Sequence, residues 1–266
     1  MSLRAWQAAF LRRARVLSWL HSVCPMWEAF DLVLRRRRSV RRFTPQPIAE
    51  QDMRDVLEAG VLAPNSSNLQ PFDLYWVRSP EKKAALVKAC LSQSAARKAT
   101  ELVVCVARWD QWDETRAEYL AFLKRQPDSV PKPVMLYYKS LSRGLYALGP
   151  LGLAGKARKL GANIAGLTRA VPRAPYDRED MRVWAVKSAS LCCENMMLAA
   201  AAKGFDSCPM EGNDPLCVAD VVGLSRAQWK QTWDVPMVLA FGFRDPNGGV
   251  WGTQWRRSRE KLIHEI

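Results

Sequence analysis

One apolar face along residues 182–203 constrains this chain more than any other feature. Val183, Val186, Ala189, Ser190, Cys193, Met197 and Ala200 recur at helical spacing. Nearly all are small, so another helix can approach that face closely. The segment is the longest helix the sequence supports, and a chain of 266 residues is long enough to bury it in a large core.

Shorter elements fall on either side. Residues 26–36 read as a helix. Residues 50–63 form an amphipathic helix with Met53, Val56, Leu57, Gly60 and Val61 on its apolar stripe, and Pro64 ends it because the residue before a proline avoids the helical region. Residues 72–77 read as a strand between Pro71 and Pro80, and residues 81–90 as a helix. Residues 102–107 are a short apolar run, the mark of a buried strand. After the long helix come a strand near 205–209, a helix over 214–222, a strand over 235–243 and a turn over 245–249. Residues 110–180 are rich in proline and glycine and carry Tyr137, Tyr138 and Tyr146. They are too apolar for a linker, so short helices are expected there. The order gives an α+β domain with helices around one sheet.

The formal charge of +14 attracts anions, including nucleotides, phosphates, aromatic carboxylates or an acidic membrane. No nucleic-acid motif accompanies it, so a nucleic-acid partner is not expected. Two histidines argue against a His-rich metal site, and no metal is expected. Seven cysteines without a CxxC pair read as small buried hydrophobes in a reducing, cytoplasmic setting. Residues 3–24 are basic and amphipathic. They read either as a helix packing on its own dimer or as one lying on an anionic membrane surface.

The run Arg37-Arg38-Ser39-Val40-Arg41 carries chemistry. In an extended segment Arg37, Ser39 and Arg41 face one side and Arg38 and Val40 the other. Arginine forks and a hydroxyl suit phosphate oxygens, although a basic cluster is more often a solvated face. Arg257 and Arg259 repeat the two-residue spacing. Pro64, Asn65, Ser66 and Asn68 sit in a polar loop after a helix stop. Pro209-Met210-Glu211-Gly212 forms a turn whose glycine permits close backbone approach.

In this order the segments resemble the flavin cradle of the nitroreductase family, over roughly residues 28–109 and 181–266. The resemblance implies a nitroreductase-like fold: a central mixed, mainly antiparallel sheet surrounded by helices in an intertwined homodimer. Residues 1–25, a basic amphipathic helical extension, lie outside the resemblance, which implies one FMN-binding domain over 26–266 with a lid-like insertion at about 110–180. Arg37, Arg38, Ser39 and Arg41 would hold the FMN phosphate, ribityl chain and pyrimidine edge. Arg257 and Arg259 would close on the phosphate. Pro64, Asn65, Ser66 and Asn68 would reach the flavin of the other subunit, with Asn65 where serine is common. Pro209, Met210, Glu211 and Gly212 would lie at flavin N5, and Gln93 would add a contact. Asn213 stands where the family often has an aromatic residue, a change expected to enlarge the pocket. The implied activity is ping-pong hydride transfer from NAD(P)H through flavin N5 to a small nitroaromatic or quinone-like acceptor, with no catalytic side chain required. The alternatives are dehalogenation, enone reduction or flavin cleavage on the same fold, or a flavin-binding dimer at a membrane surface.

Overall fold

The computed structural model describes residues 25–126 and 129–266. The helix expected over 3–24 lies outside the described residues. Residues 25–36 form helix α1. Helix α2, Glu50–Val61, buries Met53, Val56 and Gly60 and stops before Pro64. Val61, expected on the same stripe, is exposed instead, because it lies in the last turn beyond the reach of the core. Strand β1, Phe72–Val77, leads to α3, Pro80–Ala89, capped by the Ser79 hydroxyl. Then come the short α4, Ser94–Lys98, and β2, Glu101–Arg108.

The proline- and glycine-rich middle folds into helices, as its apolar content requires. These are α5, Trp112–Lys124; α6, Lys132–Leu136; a π-helical turn, Tyr137–Leu141; α7, Ser142–Tyr146; and α8, Leu153–Ala165. The long helix is α9, Arg178–Ala202. It starts ahead of the expected position because the Asp177 side chain accepts from the Asp180 amide and caps it. Strand β3, Asp206–Met210, helix α10, Pro215–Val222, and strand β4, Trp233–Gly242, complete the order.

The four strands lie in the order β1-β2-β4-β3, and each neighbouring pair is antiparallel. Parallel pairing among the described residues is confined to the single bridges Ser39–Ser207 and Trp229–Trp233. β2 holds the centre, and its alternation builds a core on each face. Val103, Cys105 and Ala107 pack with Met53, Val56, Ala185 and Met196 of α2 and α9. Leu102, Val104 and Val106 pack with Val40, Leu86, Val218 and Trp233.

The long helix is buried more broadly than its small-residue face predicts. Ala189, Cys193, Met197 and Ala200 are buried, as are Met181, Ala185, Cys192 and Met196. Val183 is exposed, and Val186 and Ser190 are half-buried. A helix clasped by both α2 and the sheet has two inward sides, so no single stripe describes it. Contact with α2 is close: a Cβ on Gly60 would sit 2.6 Å from Cγ of Met196. Asn195 Nδ2 also donates to the Ala59 carbonyl at 3.1 Å. Cys90, Cys105, Cys192, Cys193 and Cys208 are buried free thiols, in line with the reading of the cysteines as small hydrophobes. No helix among the described residues is long and apolar enough to cross a membrane.

Candidate functional site

Residues 37–41 run extended along the free edge of β3. The Val40 amide donates to the Ser207 carbonyl at 2.9 Å and the Arg41 amide to the Gly249 carbonyl at 2.8 Å. Ser94 Oγ donates to the Arg41 carbonyl at 2.9 Å. Val40 is fully buried and fixes the facing of the segment, so Ser39 and Arg41 point outward. Just upstream, Arg244 donates to the Arg36 carbonyl while its fork grips Asp206, with Nε to Oδ2 at 2.9 Å and Nη2 to Oδ1 at 2.5 Å. That buried carboxylate holds the Arg244 guanidinium above its usual range.

Arg37, Arg38, Ser39 and Arg41 form one wall of a cavity of about 210 Å³, and residues of the segment 251–256 form the other. Arg37 Nε lies 3.8 Å from Glu194 Oε1. Arg38 was expected to face away. It lines the cavity because its Nη2 donates to the Gly252 carbonyl at 3.1 Å. The Arg41 guanidinium sits over the Trp251 ring at 4.2 Å from the centroid. Its charge also reaches Cys208, where it opposes the upward push that burial gives the thiol.

Of the turn expected over 209–212, Pro209 and Met210 belong instead to β3, where cross-strand pairing to Leu239 and Val238 holds them, and only Glu211 and Gly212 leave the strand. Gln93 Nε2 donates to the Gly212 carbonyl at 2.6 Å. A Cβ on Gly212 would lie 3.1 Å from that nitrogen, a close approach that would push on the Gln93 side chain. Glu211 is exposed. Asn213 donates back to the Glu211 carbonyl at 3.1 Å, while its own Oδ1 and the nearby Ser207 Oγ are buried without a partner. Gln93 and residues 37–41 and 209–212 are therefore joined through Ser207, Ser94 and Gly212.

The loop at 64–71 is elsewhere. It enters β1 at the opposite edge of the sheet, four strand spacings from Ser39, or roughly 19 Å at ~4.8 Å per spacing. Asn65 Oδ1 accepts from the Gln70 amide at 2.8 Å. Ser67, Asn68 and Gln70 have φ of 58°, 49° and 44°, which a local hydrogen-bond network has to hold. The tyrosines of the middle stretch supply it. Ser67 Oγ meets Tyr137 OH at 2.6 Å, Tyr138 OH donates to the Ser67 carbonyl at 2.9 Å, and Ser66 Oγ meets Tyr146 OH at 3.2 Å. Pro64 and Asn68 are exposed.

Three participants were not read from the sequence. Trp251 and Arg256 line the cavity, and Ser94 pins Arg41. A tryptophan after a glycine turn carries no periodic signal, so only the tertiary contact reveals Trp251. Arg257 and Arg259 are exposed and do not line the cavity. Residues 259–261 close a 3-10 turn, which breaks the two-residue alternation that an extended segment would have given. Among the described residues no group of His, Cys, Asp or Glu could hold a metal ion.

Residues 34–243 match the profile of the Nitroreductase family. A protein of Thermus thermophilus described as an NADH dehydrogenase is 28% identical over 230 residues, covering 86% of this chain and 93% of the relative. A protein of Exiguobacterium sibiricum crystallised in complex with FMN superposes with a TM-score of 0.61 at 20% identity, covering 89% of this chain and 97% of the other. The NADPH:FMN oxidoreductase of Vibrio harveyi, solved with NAD+, superposes with a TM-score of 0.57 at 18% identity, covering 89% of this chain and 76% of the other.

Proposed function

Because the chain belongs to the Nitroreductase family, we propose that it is an FMN-dependent oxidoreductase that uses NAD(P)H to reduce a small nitroaromatic or quinone-like acceptor. The observation that carries this reading is the cavity between residues 37–41 and 251–256, where arginine side chains and a serine hydroxyl converge beside a tryptophan ring.

The residues present fit FMN. Arg37, Arg38 and Arg256 offer forked donors for phosphate. Ser39 adds a hydroxyl for the ribityl chain. Pro209, Met210, Glu211 and Gly212 bring backbone close without a side chain at the last position. Bound there, FMN supplies the two-electron hydride chemistry that links NAD(P)H to the acceptor.

The protein contributes position and electrostatics. Arg41 would turn its positive charge toward the pyrimidine edge, where it would stabilise negative charge on the reduced ring. Ser94 holds the Arg41 backbone carbonyl and Trp251 covers one face of its guanidinium, so both ends of the residue have a partner before a flavin would bind. Gln93 fixes the Gly212 carbonyl and with it the direction of the neighbouring amides. Relatives named NAD(P)H nitroreductases support the co-substrate. We read the working unit as a homodimer in which Asn65, Ser66 and Asn68 complete the site of the partner, because one chain holds that loop far from its own arginines.

The test is an absorbance spectrum of the purified protein, followed anaerobically after NADPH addition. Flavin bands that bleach are the expected result. A colourless protein that stays colourless after incubation with FMN overturns the reading.

A further inference from the structure

Helix α8 turns its apolar side away from the body of the protein. Leu153, Ala157, Leu160 and Ile164 follow a four-three-four spacing, which places them on one side of a helix. Leu160 and Ile164 are each 63% exposed, and Leu167 just beyond the helix is 84% exposed. Leu151, ahead of the helix, is 90% exposed. Leu136 and Leu141 on the preceding helical segments are also exposed.

This orientation is built in. Gly155 lies on the opposite side of α8 and is buried; a Cβ there would fall 1.8 Å from the Tyr176 carbonyl oxygen. Arg158, on the same inner side, donates to the Ala147 carbonyl at 2.5 Å and the Pro175 carbonyl at 3.2 Å. The small residues and the anchoring guanidinium therefore face inward, and the leucine stripe is left outside. The usual amphipathic arrangement is reversed.

The segment that carries the stripe has charge of one sign, although Asp177 and Glu179 share a cavity with Leu151 and Lys156 at its N-terminal end. Between residues 129 and 176 there are eight lysines and arginines and no aspartate or glutamate. Lys156 and Lys159 flank the stripe, and Arg169 lies just past it; all are exposed. An apolar ridge on a segment whose own charges are all cationic matches a surface that is apolar below and anionic above. A second copy of the same face would set cations against cations. We infer that α8 and its neighbouring turns form a docking surface for an anionic lipid bilayer, with Leu153, Leu160, Ile164 and Leu167 entering the headgroup boundary and Lys156 and Lys159 meeting lipid phosphates.

The experiment is co-sedimentation of the full chain with vesicles of phosphatidylcholine, with and without phosphatidylglycerol, alongside L160E/I164E and K156Q/K159Q. The intact chain should partition onto the anionic vesicles about tenfold or more better than onto neutral ones, since each cation near the surface adds attraction. L160E/I164E should lower partition on the order of tenfold, since apolar insertion is lost. K156Q/K159Q should weaken binding to anionic vesicles and leave neutral ones unchanged. Light scattering and flavin content are read on every variant. Equal partition of intact chain and L160E/I164E overturns the inference, as does equal binding to both vesicle types. A change of oligomeric state in L160E/I164E, with vesicle partition unaltered, also overturns it and makes the face a contact between copies. If L160E/I164E fails to fold, the milder L160S/I164S replaces it, and unaltered partition overturns the inference in the same way.

Discussion

The guanidinium of Arg41 rests 4.2 Å from the centre of the Trp251 ring, and that ring is otherwise 72% exposed. The tryptophan covers one face of the arginine that the proposed flavin site depends on most. An exposed cation–π contact contributes about 0.5–1 kcal/mol. Trp251→Ala should therefore raise the FMN dissociation constant about two- to fivefold, by the same principle. Flavin fluorescence titration measures this, and an unchanged constant would separate Trp251 from the site.

Arg41 itself should matter more. A hydrogen bond to a charged group contributes about 1.5–3 kcal/mol, so Arg41→Ala should weaken FMN binding by roughly 10- to 150-fold. The flavin that remains should have a more negative midpoint potential, because a positive charge near the reduced ring is gone. Arg41→Lys should recover part of the potential but less of the affinity, since an ammonium lacks the planar fork. Unaltered flavin content and potential in Arg41→Ala would exclude this role.

Gly242 offers a test of how the arginine segment is held. A Cβ at this position would approach Cγ of Phe43 to 2.8 Å, and Phe43 follows Arg41 by two residues. Overpacking of this kind costs about 1–3 kcal/mol. Gly242→Ala should lower stability to urea by that order and weaken FMN binding as well. A fall in stability with unchanged FMN affinity would show that Phe43 moves without its neighbours.

Alkaline stability should report on the tyrosine network. Burial, with help from Tyr119 and Tyr137, pushes the Tyr138 phenol up to about 12 from an ordinary 10.0. The folded chain thus keeps a proton that the unfolded chain has released. The stabilisation is complete below pH 10.0 and is lost as pH rises toward about 12. Tyr75 and Tyr137 shift in the same direction, so Tyr138→Phe should flatten the fall in melting temperature over this range without abolishing it. An identical slope in Tyr138→Phe would remove Tyr138 from the account.

Much of the fold was legible wherever one physical rule dominated. The short, apolar, β-branched run 102–107 read as a buried strand, and β2 contains it. Prolines bounded β1 and ended α2 before Pro64. The long helix was legible in position but not in facing. Met181, Ala185 and Met196 are buried because α9 is gripped from two sides, which a single-stripe reading cannot anticipate. In the site, the alternation of Ser39 and Arg41 about Val40 was legible because a buried valine fixes the phase. The turn of Arg38 toward Gly252, the cover of Trp251 and the choice of Arg256 depend on where the chain end comes to lie, which local spacing does not encode. The π-helical turn at Tyr137–Leu141, which brings Tyr137 and Tyr138 to Ser67, leaves no periodic trace either.

The placement of the 64–71 loop and the arginine segment at opposite edges of the sheet has a genetic consequence. If each site takes arginines from one subunit and the polar loop from another, defects in the two segments belong to different complementation groups. Arg41→Ala and Asn65→Ala chains, each impaired alone, should regain turnover when unfolded and refolded together, because a mixed pair contains one undamaged site. Chains carrying both changes should gain nothing from the same treatment with Arg41→Ala.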